Sequence, residues 1–185
     1  MSKTAFATLL LCRLFFGMPV GAQPQTTRKF LHEPTVIQGY PCAKGIAWFF
    51  ADGHLQKCTV TRDIRFGEVA IPAGSWITLT EDGKPYFVQM PHNAPVLNLM
   101  CEGGGWLGTG EASTVSFFPN GKLKTCFLAR DQLVQGVPCS HGGLFSAFSN
   151  RNYVVLFYES GKLRQCLLAA DYGDQHKGEL FKQRR

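Results

Sequence analysis

The sequence predicts an all-β protein built from four hairpin-like repeats. Three observations carry the prediction. A turn glycine recurs four times between strand-like residues, cysteines recur at fixed offsets from those glycines, and no window after residue 30 places apolar residues at helical spacing.

The first residues are read apart from the fold. Met1 to Ala22 has a basic start at Lys3, an apolar stretch through Leu9, Leu10, Leu11, Leu14, Phe15 and Phe16, and a small-residue exit at Val20-Gly21-Ala22. This is the pattern of a secretory signal peptide, interrupted only by Arg13, with cleavage expected after Ala22. Cys12 then takes no part in the fold. Residues 23–36 are expected to form a linker, 37–171 the repeat domain and 172–185 a basic C-terminal tail. No other segment approaches the ~18 consecutive apolar residues of a spanning helix, so stable membrane insertion is not expected.

Of the 19 basic residues, Lys3 and Arg13 fall in the signal segment, leaving 17 against 13 acidic ones. So mild an excess suits a solvated surface, and nucleic acid is not an expected partner of an exported chain. Excluding Cys12, six cysteines remain: Cys42, Cys58, Cys101, Cys126, Cys139 and Cys166. An even set in an exported chain reads as disulfides.

The four turns are Asp52-Gly53, Asp82-Gly83, Asn120-Gly121 and Ser160-Gly161. Asp-Gly and Asn-Gly tolerate the positive φ angles of a two-residue hairpin loop, which is the loop expected here. Ahead of the turns stand Ala47 to Phe50, Trp76 to Leu79, Val115 to Phe118 and Tyr153 to Tyr158, rich in β-branched and aromatic side chains. The return strands are Leu55 to Val60, Tyr86 to Val88, Leu123 to Leu128 and Leu163 to Leu168.

Similarity extends beyond the hairpins. Gln38-Gly39-Tyr40-Pro41-Cys42 recurs as Gln135-Gly136-Val137-Pro138-Cys139, and Asp63, Asp131 and Asp171 each follow a return-strand cysteine by five residues. A short polar residue at that point suits a turn that bonds its own backbone. Unit two carries Ile71 and Val88 where the others carry cysteines. Joint loss is the pattern expected if the two cysteines of a unit bond each other, which predicts Cys42 with Cys58, Cys101 with Cys126, and Cys139 with Cys166. Unit four contains an alternating segment, Leu144 to Phe148, expected as an extra strand, and unit three contains a glycine-rich segment from Gly103 to Gly110, expected as a surface loop.

The strand-turn-strand unit with its central aromatic and Asp-Gly or Asn-Gly turn resembles MORN-type hairpin repeats over residues 37–171. The resemblance implies a repetitive β-sheet scaffold, stacked or closed, and implies nothing about a ligand. A β-trefoil is the alternative, suggested by three cysteine-bearing units. The turn glycines at 53, 83, 121 and 161 are too unevenly spaced for strict threefold symmetry.

A residue repeated in every unit is explained by the fold, so functional candidates are sought among the unrepeated ones. Gly103-x-Gly105-x-x-Gly108 has dinucleotide-motif spacing but precedes a strand-like segment and not a helix. Cys42, His54, Cys58, Cys139 and His141 lack the paired Cys-x-x-Cys spacing of a zinc site. No Gly-x-Ser-x-Gly elbow is present. No catalytic residue, metal or cofactor is therefore assigned. The candidates for binding are Trp106 in its glycine loop, His92 in Met90-Pro91-His92-Asn93-Ala94-Pro95, and Arg151. The expected role is an exported interaction module for a protein or envelope component; the alternatives are a small secreted hydrolase and a secreted protein inhibitor.

Overall fold

The computed structural model describes residues 26–104, 114–142 and 153–183, and the described residues contain strands and turns without a helix. The expected signal peptide, the Trp106 loop, the Leu144 to Phe148 strand and Arg151 lie outside them.

Each unit consists of a short hairpin followed by a long one. The short hairpins are β2 (Thr35–Ile37) with β3 (Tyr40–Cys42), β6 (Ile64–Phe66) with β7 (Val69–Ile71), β10 (Ala94–Val96) with β11 (Leu99–Cys101), and β14 (Gln132–Val134) with β15 (Val137–Cys139). The long hairpins are β4 (Gly45–Phe49) with β5 (Leu55–Thr59), β8 (Trp76–Leu79) with β9 (Pro85–Gln89), β12 (Thr114–Phe117) with β13 (Leu123–Phe127), and β16 (Val154–Phe157) with β17 (Leu163–Leu167). With β1 (Thr27–Leu31) and β18 (Leu180–Lys182) at the edges, the long hairpins join into one open antiparallel sheet of 10 strands. The stacked arrangement is the one adopted. An open sheet with two edges is neither a closed sheet nor a β-trefoil.

The edge strands correct two expectations. Thr27–Leu31 falls in the expected linker yet pairs along its whole length with β4, and Leu180–Lys182 falls in the expected tail yet pairs with β17. Both repeat the pairing that joins successive units, so the sheet's own free edges supply the hydrogen bonds that order these segments.

The turns also differ from expectation. The Phe50 N–H donates to the His54 carbonyl and the Gly53 N–H to the Phe50 carbonyl, enclosing three residues, with Gly53 alone at positive φ (86°). This is a type I turn closed by a glycine bulge, and the Asp52 carboxylate accepts from the His54 N–H at 2.9 Å. Two-residue turns with both residues at positive φ occur instead at Gln38-Gly39 and Gln135-Gly136 of the short hairpins.

A second irregularity, between the Trp48↔Lys57 and Phe49↔Leu55 pairs, sets the core pattern. The extra residue places Leu55 and Cys58, three apart, on the same face with Val60. The same bulge recurs in the other three long hairpins. One face of the sheet thus buries Ala47, Phe49, Leu55, Cys58, Ile77, Leu79, Val88, Val115, Phe117, Leu123, Cys126, Val155, Phe157, Leu163 and Cys166. The short hairpins cover it, and their Val69, Ile71, Val96, Leu99, Val134 and Val137 join the same core.

In units one, three and four the short hairpin is tied to its long one by a bridge and a disulfide. Cys42 bridges Val60, with the Ala43 N–H donating to the Thr59 carbonyl and the Thr61 N–H to the Pro41 carbonyl. Cys42–Cys58, Cys101–Cys126 and Cys139–Cys166 are the disulfides, with Cα separations of 5.8, 5.9 and 5.7 Å. In unit two Ile71 and Val88 fill these positions, both 1% exposed, and Pro72 and Pro91 replace the two N–H donors of the bridge. The whole tie, covalent and hydrogen-bonded, is exchanged for apolar packing.

Asp63 and Asp131 close the units by accepting backbone N–H groups ten residues on, from Ala73 (2.8 Å) and His141 (2.9 Å). Asn93 makes the same bond to Gly103 at 3.0 Å. Asp171 accepts from the Lys177 N–H at 2.8 Å, spanning a one-bridge turn between Tyr172 and Gln175. These side chains latch the base of the short hairpins of units two to four and of the turn that follows unit four.

Candidate binding face

The bulged alternation that buries one face sends the remaining side chains to the other, and strand register aligns them in rows. Arg28, Trp48, Lys57, Thr78, Phe87, Ser116, Thr125, Leu156, Gln165 and Lys182 are successive partners across all ten strands. A neighbouring row runs through Thr59, Trp76, Gln89 and Thr114. No short hairpin covers these rows. In units one and two they form an aromatic surface of mutually inclined rings: Trp48 and Trp76 are half-buried with planes 39° apart, and Tyr86 and Phe87 are exposed.

Cations are interleaved with the rings. The Lys57 Nζ lies 4.5 Å from the Trp76 ring centroid and 5.6 Å from that of Trp48, and the indoles are 5.3 Å apart. Tyr86 and Phe87 meet edge to face at 4.6 Å, and the Lys124 Nζ stands 6.0 Å from the Tyr86 ring. The negative π-faces attract the ammonium groups, and the Trp76 indole N–H is buried.

Charge is sorted by location. The ten strands of the sheet carry Arg28, Lys29, Lys57, Lys124, Arg164 and Lys182, and neither they nor the short-hairpin strands carry an Asp or Glu. The described carboxylates lie in turns and bends, where many are occupied by fold bonds. Asp52 is held below the usual carboxylate range by its bonds from the His54 ring and backbone, and Asp82 by Lys84 and Thr80. Partial burial pushes Asp131 up, but bonds from the His141 ring, the His141 backbone and Ser140 bring it below its ordinary value. Glu102 is raised by burial, with the charge of His141 opposing the rise.

A groove of about 690 Å³ opens among the hairpin tips of units two to four. Its apolar lining includes Phe66, Leu97, Leu99, Val134 and Phe157. In unit one the Tyr40 hydroxyl spans to the Gly83 carbonyl of the next turn at 2.8 Å; Leu99 occupies the equivalent place in unit three and leaves space.

Of the three candidate binding residues, only His92 is described. It is exposed on the bend between β9 and β10, away from the aromatic rows. Its carbonyl abuts Gly103, where a Cβ would collide with it, which gives that glycine a packing role. Trp106 and Arg151 lie outside the described residues. The cysteines weighed as metal ligands are in disulfides. Sequence reasoning missed Trp48, Lys57, Trp76, Tyr86, Phe87 and Lys124 because their strands were assigned wholly to the scaffold. A signal was present. At the Trp48 position the other units have Thr78, Ser116 and Leu156, so the tryptophan is not part of the repeat.

Comparison with family models, with curated proteins and with solved structures finds no match.

Proposed function

We propose that the protein is an exported interaction module whose open sheet face binds a macromolecular ligand outside the cytoplasm. The observation that carries this reading is the pairing of an exposed aromatic surface with carboxylate-free strands. Indoles and phenol rings give large contact area at little conformational cost, and unopposed cations give long-range attraction for an anionic partner.

Export is supported by the signal-peptide pattern of residues 1–22 and by three disulfides, which persist in an oxidising compartment. Within this reading the long hairpins are an exported, cysteine-containing variant of MORN-type repeats.

The test is co-sedimentation of the oxidised protein with an envelope or extracellular-matrix fraction of its source cells. Retention of the wild type and release of the Trp48→Ser, Lys57→Gln double variant is the expected result. Equal retention of both contradicts the reading.

A further inference from the structure

We infer that the ligand of this face is an acidic polysaccharide, with sugar rings against Trp48, Trp76, Tyr86 and Phe87 and its carboxylates at Lys57 and Lys124. The inference rests on the reading of the face as a binding surface and gives its ligand a chemical class.

A pyranose ring presents an apolar face of C–H bonds and a polar rim of hydroxyls. A uronic acid adds a carboxylate to that rim. Such a polymer needs accessible aromatic rings and cations at intervals beside them. The outer face supplies both over adjoining strands. Trp48, Lys57, Trp76 and Phe87 lie on β4, β5, β8 and β9, four consecutive strands of the sheet. Neighbouring strands are ~4.8 Å apart, so the stripe runs across the strands as a continuous track. Lys124, on β13, extends the cationic side beyond Tyr86. The described strands carry no Asp or Glu, which confines like-charge repulsion of an anionic chain to the Glu81-Asp82 turn beside Tyr86. The aromatic residues are strung along a sheet face over four strands, which suits a long polymer crossing it better than a small molecule needing enclosure.

Affinity electrophoresis of the full oxidised chain tests this with four probes. Polygalacturonate carries rings and charge, its methyl ester rings alone, poly-glutamate charge alone, and phosphatidylglycerol vesicles an anionic lipid surface. Polygalacturonate is expected to retard the protein about 10-fold more strongly than any other probe, since an aromatic anchor and a set of ion pairs each contribute about that factor. Added salt is expected to weaken the retardation. Lys57→Gln is expected to weaken it about 3-fold and Phe87→Ser about 10-fold. Phe87 is exposed, so its replacement leaves the buried face intact.

Equal retardation by poly-glutamate, or preferential binding to the vesicles, overturns the polysaccharide inference. If the envelope fraction still retains the wild type and releases the double variant, the broader binding reading survives that result; if it does not, both fall.

Discussion

The ammonium group of Lys57 stands 4.5 Å from the centre of the Trp76 ring, on the next strand of the sheet. A double-mutant cycle with Lys57→Met and Trp76→Leu measures this relationship. We expect a coupling of about 0.5–1 kcal/mol in urea unfolding, the range for a partly exposed cation and indole. Additivity of the two single changes would show that the pair contributes nothing.

The disulfides connect two hairpins of a unit across 16, 25 and 27 residues. Replacing Cys42 and Cys58 by serine is expected to cost about 3 kcal/mol by freeing the unfolded chain, besides placing hydroxyls in the core. Cys42→Ile with Cys58→Val copies the residues of unit two and is expected to cost less than the serine pair. Urea melts of the two variants decide this. An equal loss in both would mean that Ile71 and Val88 are not a working substitute for the bond.

Asp131 accepts two bonds from His141, one from the backbone N–H and one from the ring at 2.6 Å. Its folded carboxyl titrates below its ordinary value, so it contributes stability above the unfolded value of about 3.9 that is lost as pH falls through the lower folded value. Asp131→Asn keeps an acceptor, as Asn93 does naturally, and is expected to be nearly neutral at pH 7 while flattening the acid limb. Asp131→Ala is expected to cost about 1 kcal/mol at pH 7. Unfolding measured from pH 7 to pH 2 checks both, and an unchanged acid limb in Asp131→Asn would contradict the assignment.

Two backbone positions should respond in opposite directions. Gly103→Ala drives a methyl into the His92 carbonyl and is expected to lose about 1–3 kcal/mol, because backbone cannot yield as a side chain can. Leu97 holds φ at 56° in the turn between β10 and β11. Leu97→Asn, a residue that tolerates the left-handed region, is expected to gain about 1 kcal/mol. Thermal unfolding of each variant supplies the test.

The long hairpins were legible because Gly53, Gly83, Gly121 and Gly161 each divide two apolar runs. The disulfide pairing was legible because Ile71 and Val88 change together. The short hairpins were only glimpsed, through the recurrence of Gln38-Gly39 in Gln135-Gly136. Three-residue strands such as Ile64–Phe66 are too short to display alternation, and their order comes from pairing within the hairpin and packing on the core. Asn93 escaped notice because the latch was sought as aspartate, although any short acceptor makes the bond. The edges were hidden for a different reason. Thr27 to Phe30 is exposed throughout and looks like linker, and only the presence of β4 beside it makes it a strand. The candidate face needed the pairing register, since Trp48, Lys57 and Phe87 are aligned by the sheet and not by proximity in sequence.

Hydroxyl-radical footprinting of the oxidised protein, with and without saturating polygalacturonate, measures the location of the bound face most directly. The account predicts protection of Trp48, Trp76, Tyr86 and Phe87 with unchanged reactivity at Leu97 and Leu133 on the short hairpins. Protection at Leu97 or Leu133, with the four aromatic residues of the sheet still reactive, would contradict it.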